Sequence, residues 1–298
     1  MQDPIQTLKI SSNALSAEIS TLGAELRNLC DAQGRQLQWD GDPGVWNGRA
    51  PILFPIIGML EGGTYRLDGK SYAMPKHGFG RHSQFDVVSH DAGAALLRLV
   101  ANTGTRGIYP FEFQLDIALK LVSAELSLVA TVANHDTQPM PASFGFHPAL
   151  RWPLPYGLPR ADHVIRFEHD EPAAIRRIDG SGLLLSEPRP TPVVGDTLAL
   201  RDDLFVDDAL IFDSLNSRRV FYGAGEGPHL EVRFDDFPTL GVWTKVGGGF
   251  LCIEPWQGIA DPVGFDGDFR DKPGIVSIAA GESRSFAMTI ALHTEPTR

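Results

Sequence analysis

Positive charge, cysteine and long apolar runs are all scarce in this sequence. Lysine and arginine together number 26 against 37 aspartates and glutamates, which gives a formal net charge of −11. Nucleic acids and anionic membrane surfaces repel a chain this acidic, so we expect neither as a partner. Apolar runs also fall short of the roughly 20 residues that a transmembrane helix needs.

The two cysteines, Cys30 and Cys252, lie far apart in the sequence and have no CxxC spacing. The first ten residues, MQDPIQTLKI, lack a basic segment followed by an apolar core, so we expect no signal peptide. A reduced cytoplasmic protein is the simplest interpretation of both features.

Motifs for common cofactors are missing too. The sequence has no P-loop and no GxSxG, and the run that starts at Gly223 departs from GxGxxG at Pro228. His77 and His82 are five residues apart rather than in HExxH spacing, so we expect no catalytic metal. We expect no cofactor of any kind.

Alternation of apolar and polar residues is the strongest pattern present. In residues 111–121, FEFQLDIALKL, every odd position is apolar, which predicts an antiparallel strand with one wet face. Similar short segments recur along the chain, at 14–19, 24–29, 126–132, 230–234, 241–245 and 286–292. The pattern predicts an all-β sandwich or barrel, and without a linker we expect one domain spanning 1–298.

The stretch 247–261, GGGFLCIEPWQGIAD, carries the clearest chemistry. Strand alternation places Glu254 on the same face as Cys252, opposite Leu251 and Ile253. Because proline cannot donate to a sheet ladder, we expect the strand to end or reach an edge at Pro255. A carboxylate beside the indole of Trp256 is typical of a sugar site, although a rim glutamate and a core tryptophan give the same pattern.

Four other residues are candidates for the same site. His77 lies in a glycine-rich loop, KHGFGR, and His147 is followed by Pro148 in FGFHPALRWP, which favours an extended conformation at a pocket rim. Arg49 precedes an apolar, proline-interrupted wall. Of the consecutive acids at 207 and 208, in a predicted strand over 204–213, at most one can face a given cleft. Each has a plainer interpretation as a surface, core or turn residue.

In their shared order, the fragments RAPILFP, HGFGR, FGFHPALRWP, DDALIF, GVWTK and FLCIEPWQG resemble the aldose 1-epimerase (mutarotase) family, in particular its bacterial aldose 1-epimerase-like branch. The resemblance extends from about residue 10 to the end. It implies a β-supersandwich, in which large antiparallel sheets pack face to face with few helices. It also implies an isomerase of carbohydrate metabolism that takes a free aldose as its small-molecule partner, as a monomer or homodimer.

By this resemblance Glu254 is the catalytic base and His147 is the general acid on the ring oxygen. His77, Arg49 and Asp208 hold the substrate, and Asp207 remains an alternative to Asp208; Trp256 is the indole beside the base. The two catalytic groups are expected to act from opposite sides of a pyranose ring by acid–base catalysis. Carboxylates near His147 would raise its pKa, whereas burial among aromatic residues would lower it.

Three alternatives stay open at this point. One is a hexose 6-phosphate substrate, for which Arg49, Arg81 and Arg151 are candidate phosphate ligands. Another is a sugar-binding protein without catalysis on the same scaffold. The third is glycoside hydrolysis by Glu254 with Asp208. The sequence also departs from galactose-specific family members at the first histidine, which is not in an Asn-His motif, so the preferred sugar is open.

Overall fold

The structure of the chain is a computed structural model that describes residues 4–294. Positions 1–3 and 295–298 lie outside the described residues. They include the two ends of the predicted 1–298 domain and the first residues of the segment considered for a signal peptide. Within residues 4–294 there is no helix with both the length and the apolar character needed to cross a membrane.

Strands are the main regular element of the described chain. In chain order they are β1 (Thr7–Ser11), β2 (Leu15–Ser20), β3 (Leu26–Asp31), β4 (Ile52–Leu53), β5 (Thr64–Leu67), β6 (Lys70–Ala73), β7 (Asp86–His90), β8 (Ala94–Val100), β9 (Phe113–Val122), β10 (Glu125–Asn134), β11 (Met140–Ala142), β12 (Phe144–Phe146), β13 (Ala149–Arg151), β14 (His163–Phe167), β15 (Thr197–Ala199), β16 (Leu210–Phe212), β17 (Arg219–Ala224), β18 (His229–Arg233), β19 (Thr239–Trp243), β20 (Phe250–Gln257), β21 (Val276–Ile278) and β22 (Ser283–His293).

Helices are short. One α-helical turn, α1, spans Thr103–Arg106, and five 3₁₀ turns span Glu61–Gly63, Gly80–His82, Arg160–Asp162, Asp202–Phe205 and Phe269–Asp271 within the described residues.

Two antiparallel sheets dominate the fold. The larger has nine strands in the order β15-β14-β17-β18-β22-β10-β9-β8-β7, and the smaller has the path β16-β19-β20-β12-β4 with β13 also paired to β20. In β9 the odd residues are buried and the even ones are exposed or half-buried, which confirms the predicted one-sided strand. Smaller sheets join β1-β2-β3, β5-β6 and β11-β21.

The sheets pack face to face across an aromatic core. Phe144 of the smaller sheet stacks on Phe286 of the larger, with ring centroids 5.6 Å apart. Phe54, just after β4, packs on Phe113 of β9 at 5.2 Å. The predicted all-β supersandwich architecture is confirmed. Each large sheet buries one face against the other, so few helices are needed to cover the core.

Strand β20 is central in the smaller sheet, and its alternation follows the prediction. Leu251 and Ile253 belong to the main core between the sheets, whereas Cys252 packs against Trp39 on the opposite face. That opposite face is the one that carries Glu254.

The expectation that β20 ends at Pro255 is wrong, because the strand continues to Gln257 and Pro255 is in register with Leu240 of β19. On its other side, β20 pairs with β13 up to Cys252 and with β12 from Trp256 onward. On this second side Pro255 lies between the two partners and has no residue of the described chain in register with it, so its missing N–H breaks no pair there.

The segment 204–213 also differs from the strand that its apolar residues predict. The 3₁₀ turn Asp202–Phe205 and a bend at Asp207 and Asp208 occupy its first half, and only β16, Leu210–Phe212, is extended. Asp208 adopts a left-handed conformation with φ of 65°. Aspartate tolerates that region better than most residues, so the pair of acids acts as a turn signal.

Candidate active site

A cavity of about 200 Å³ opens on the face of the smaller sheet that carries Glu254. Strand β20 contributes Glu254 and Trp256, and β19 contributes Trp243. The remaining walls come from loops and from β16: Trp46, Ile57, Gly58, Lys76, His77, Arg81, His147, Ile178, Gly182, Asp208, Ala209, Ile211 and Ala260. Tryptophan rings and a few convergent polar groups form a site suited to a small polar ligand with apolar faces.

Glu254 and His147 are in direct contact at this cavity. The Nε2 atom of His147 lies 3.2 Å from a carboxylate oxygen of Glu254, and the two residues are 7% and 2% exposed. His147 reaches this position because it lies in the two-residue interval between β12 and β13. The carbonyl of Pro148 accepts a hydrogen bond from the Ile253 N–H, which fixes the interval against β20.

Burial drives both members of this pair toward their neutral forms. It raises the pKa of Glu254 well above its ordinary value, and the negative charge of Asp208 adds to the effect while Lys76 opposes it. Burial also lowers the pKa of His147 to about 3, with the positive charge of Arg81 contributing. Desolvation therefore outweighs the neighbouring carboxylates at His147. Both shifts favour a neutral pair, in which one proton is shared between the carboxyl oxygen of Glu254 and Nε2 of His147.

Three aromatic neighbours hold the His147 ring in place. The indole of Trp46 stacks on it with ring centroids 5.2 Å apart and planes 25° from parallel. Trp243 and His77 meet it edge-on at 6.0 and 5.8 Å. These contacts fix the plane of the imidazole, in which Nε2 is directed at Glu254.

His77 is fixed as a hydrogen-bond donor. Its Nδ1 accepts the backbone N–H of Gly58 at 3.1 Å, and the backbone N–H of His77 donates to the Gly58 carbonyl at 2.9 Å. Burial, followed by the charge of His147, lowers the pKa of His77 well below its ordinary value, so the ring is neutral. With Nδ1 occupied as acceptor, the proton resides on Nε2.

The local backbone at His77 needs glycine after it. His77 has a φ of 67°, and Gly78 has a φ of 76°. A Cβ at Gly78 would lie 2.1 Å from the carbonyl oxygen of Phe54. Glycine at position 78 therefore allows the turn that brings the His77 imidazole against the Gly58 backbone.

The sequence model of the aldose 1-epimerase family matches residues 6–290. The chain belongs to the aldose 1-epimerase family. It is 30% identical over 297 residues to chromosomal protein LacX of Lactococcus lactis subsp. lactis, a match that covers 95% of this chain and 99% of LacX.

Solved structures of family relatives have the same fold. A galactose mutarotase-like protein from Lactobacillus casei superposes with a TM-score of 0.89 at 29% identity and covers 97% of this chain and 100% of its own. A galactose mutarotase related enzyme from Lactobacillus acidophilus gives 0.88 at 29% identity, with coverages of 98% and 100%. The family membership predicted from the ordered motifs is confirmed.

Five of the six predicted site residues meet at the cavity. They are Glu254, His147, His77, Asp208 and Trp256. Of the two acids left open by the epimerase motifs, Asp208 lines this cavity. Asp207 lines a wider outer cleft of about 840 Å³. The guanidinium of Arg177 donates to the carbonyl of Asp208 at 2.7 Å and holds the bend in place.

Arg49, the sixth predicted residue, is placed elsewhere. Its guanidinium donates to the carbonyl of Arg27 at 2.7 Å, and its N–H donates to the carboxylate of Glu25. The cations that line the cavity are Arg81 and Lys76. Arg81 is the last residue of the epimerase motif HGFGR, and its place four residues after His77 was the available signal for it. Arg151 is also remote and pairs with Asp40.

Trp46 and Trp243 are cavity residues that sequence reasoning missed. Trp46 lies in a turn-rich segment, where its carbonyl accepts the indole N–H of Trp39 at 2.8 Å and its ring stacks on Phe250 at 5.2 Å. An exposed-looking tryptophan between glycines was the available signal. No pattern in the sequence pairs it with His147, because the two residues are 101 positions apart.

Proposed function

We propose that this protein is an aldose 1-epimerase that interconverts the α and β anomers of a free aldohexose. The observation that supports the proposal most strongly is the His147–Glu254 pair, buried, 3.2 Å apart and open to a tryptophan-lined cavity. Acid–base catalysis requires a proton donor and a proton acceptor that are each within hydrogen-bond reach of the reacting atoms.

The chemistry follows from the proton count of the pair. Mutarotation removes the proton of the C1 hydroxyl and adds a proton to the ring oxygen, which opens the hemiacetal to a free aldehyde. Rotation about C1–C2 and closure in reverse then give the other anomer. The hydroxyl and ring oxygens are both attached to C1, so two groups in contact can reach both. A pair that carries one proton always has one donor and one acceptor.

In our assignment Glu254 takes the C1 hydroxyl proton and His147 delivers a proton to the ring oxygen. As the sugar enters, the shared proton passes to Nε2 across the direct contact. The sugar then separates the two side chains, so that the carboxylate meets the C1 hydroxyl and the protonated imidazole meets the ring oxygen. This differs from two groups acting across the ring, because the structure brings them to the same end of the cavity.

The other cavity residues hold the sugar. His77 offers an Nε2–H donor, and Asp208 offers a carboxylate acceptor for ring hydroxyls. The indole of Trp256, which is 6% exposed, provides an apolar surface for the C–H face of the ring. These contacts do not involve C1, so their loss should weaken binding more than it slows the chemistry.

A hexose 6-phosphate is the second candidate substrate. Arg81 and Lys76 both line the cavity, and a phosphate group favours such cations. Arg49 and Arg151, the other arginines considered for phosphate, bond elsewhere in the fold. With two rather than four cations at hand and a net charge of −11, we favour the free sugar.

Mutarotation assays test the proposal. Polarimetric decay of fresh α-glucose and α-galactose, and of glucose 6-phosphate measured side by side by NMR, should be accelerated most for a free hexose. A clear preference for the phosphate would transfer the assignment to the second candidate. Binding of sugar with no acceleration would indicate a non-catalytic sugar-binding protein, and release of sugar from aryl glycosides would indicate a hydrolase.

A further inference from the structure

Cys252 lies directly behind the catalytic pair and has no part in the proposed reaction. It is two residues before Glu254 on β20, so strand alternation puts both side chains on the same face. It is fully buried against Trp39 and Phe250 and is paired in register with Ala149, two residues after His147. The fold therefore brings a thiol to the inner side of the pair.

The three side chains have the spacing of a metal site. One ring nitrogen of His147, the Sγ of Cys252 and a carboxylate oxygen of Glu254 all lie within 4.8 Å of one another. Zinc–ligand bonds of about 2.0–2.3 Å at tetrahedral angles put neighbouring ligand atoms about 3.3–3.8 Å apart. The 3.2 Å contact of His147 with Glu254 is already close to this spacing, and the other separations need to contract by at most about 1.5 Å.

The donor set selects one chemical class of ion. Imidazole nitrogen with thiolate sulfur favours zinc and similar borderline-soft ions, whereas magnesium and calcium prefer sites made of oxygen atoms. His147 and Glu254 line the cavity, so an ion that enters the cavity reaches them directly. Three protein ligands leave a fourth position, which faces the cavity and is open to water or a sugar oxygen.

We propose that His147, Cys252 and Glu254 form a binding site for zinc or a similar thiophilic divalent ion, and that the bound ion inhibits the enzyme. The ion occupies the lone pairs that the pair needs for proton transfer, so metal and sugar compete for one cavity. Binding releases the thiol proton and the proton shared by His147 and Glu254. The inhibition rests on the proposed function, whereas the binding does not.

Cobalt titration tests the binding directly. Addition of Co²⁺ to the wild-type protein should produce a thiolate-to-cobalt charge-transfer band in the near ultraviolet, and excess Zn²⁺ should abolish it. Cys252→Ser should lack the band. The matched control is Cys30→Ser, which removes the other buried thiol and should keep the band. A wild-type protein without the band, or a band lost with Cys30 instead, would overturn the site.

Two further readouts keep the test independent of whether Cys252→Ser folds and of the assigned activity. Saturating glucose added to the wild type should weaken the cobalt band, since the sugar takes the same cavity. Saturating Zn²⁺ should slow mutarotation by the wild type at least tenfold, and EDTA should restore the rate. Mg²⁺ should have no such effect. The rate of each variant is compared with the metal-free rate of the same variant. A band with an unchanged mutarotation rate would overturn the inhibition and leave the site, whereas a band in a protein without mutarotase activity would contradict the proposed function alone.

Discussion

Replacing Glu254 with Gln removes the proposed base and keeps the size of the side chain. The position is 2% exposed, so the substitution is made in a fully packed site. We expect the rate to fall by roughly 100- to 10,000-fold, the typical contribution of a general acid or base. That loss corresponds to about 2.7–5.5 kcal/mol of transition-state stabilisation. Sugar binding should persist, because His77, Asp208 and Trp256 are unchanged.

The same substitution should change the free energy of unfolding by less than about 1 kcal/mol. Burial raises the pKa of Glu254 and lowers that of His147, so a neutral carboxyl faces a neutral imidazole. The glutamine amide is also neutral and can donate to Nε2. If the pair were an imidazolium with a carboxylate, glutamine would leave a buried charge without its partner, at a cost of about 3–5 kcal/mol.

Glu171 provides the matched control, since it is also 2% exposed but lies outside the residues that line the cavity. Its carboxylate accepts the backbone N–H groups of Asn216 and Ser217 at 2.7–3.1 Å. Glu171→Gln should lose about 1–3 kcal/mol of stability and keep its activity.

Urea denaturation followed by tryptophan fluorescence measures stability, and polarimetry measures the rate. A Glu254→Gln enzyme within a few-fold of wild type would remove Glu254 from the mechanism. A stability loss near 3–5 kcal/mol would refute the neutral pair instead.

Four further predictions follow from the site. Because the pair works with one proton, kcat should fall as pH drops toward the His147 pKa of about 3 and again as pH rises through the Glu254 pKa, which burial raises well above its ordinary value; limbs near the ordinary values of about 4.3 and 6.5 would contradict this. His77→Gln should raise KM about tenfold or more with kcat within a few-fold, so a selective loss of kcat would reassign His77 to the chemistry. Arg81→Gln should leave kcat/KM for free hexoses within a few-fold, and a larger effect on glucose 6-phosphate would support phosphate recognition. Treatment with EDTA should not reduce activity, and a loss that added zinc or calcium restores would show a catalytic metal.

Strand β9 could be predicted from the sequence because one of its faces is exposed to solvent and the other lies in the core, so polar and apolar residues alternate with a period of two. The same rule placed Glu254 and Cys252 on one face of β20. The separate expectation that β20 ends at Pro255 was wrong, because proline was expected to disrupt ladder pairing. In the fold, the change of partner from β13 to β12 leaves an interval where no N–H is needed. Partner changes of this kind are tertiary and leave no local signature.

The site was predictable where chemistry and local motif coincide and unpredictable where it depends on contacts between distant segments. Glu254, His147 and His77 each occupy a distinctive motif. Trp46 was missed because its role comes from stacking on His147. The resemblance placed Arg49 in the site, but the hydrogen bond of its guanidinium to the Arg27 carbonyl is a tertiary contact that its motif does not reveal. The balance of charge and burial at His147 likewise depends on how completely the fold encloses the ring.

The most direct test of the central claim is the rate of anomer exchange itself, measured by proton NMR on the resolved C1 signals of glucose and galactose. We predict that catalytic amounts of the wild-type protein accelerate exchange of at least one of the two sugars far above the buffer rate, and that the Glu254→Gln and His147→Gln proteins, folded and present at the same concentration, do so roughly 100-fold less or worse. Exchange at the buffer rate with wild-type protein for both sugars, or equal acceleration by all three proteins, would contradict the claim that the buried pair catalyses mutarotation of a free aldohexose.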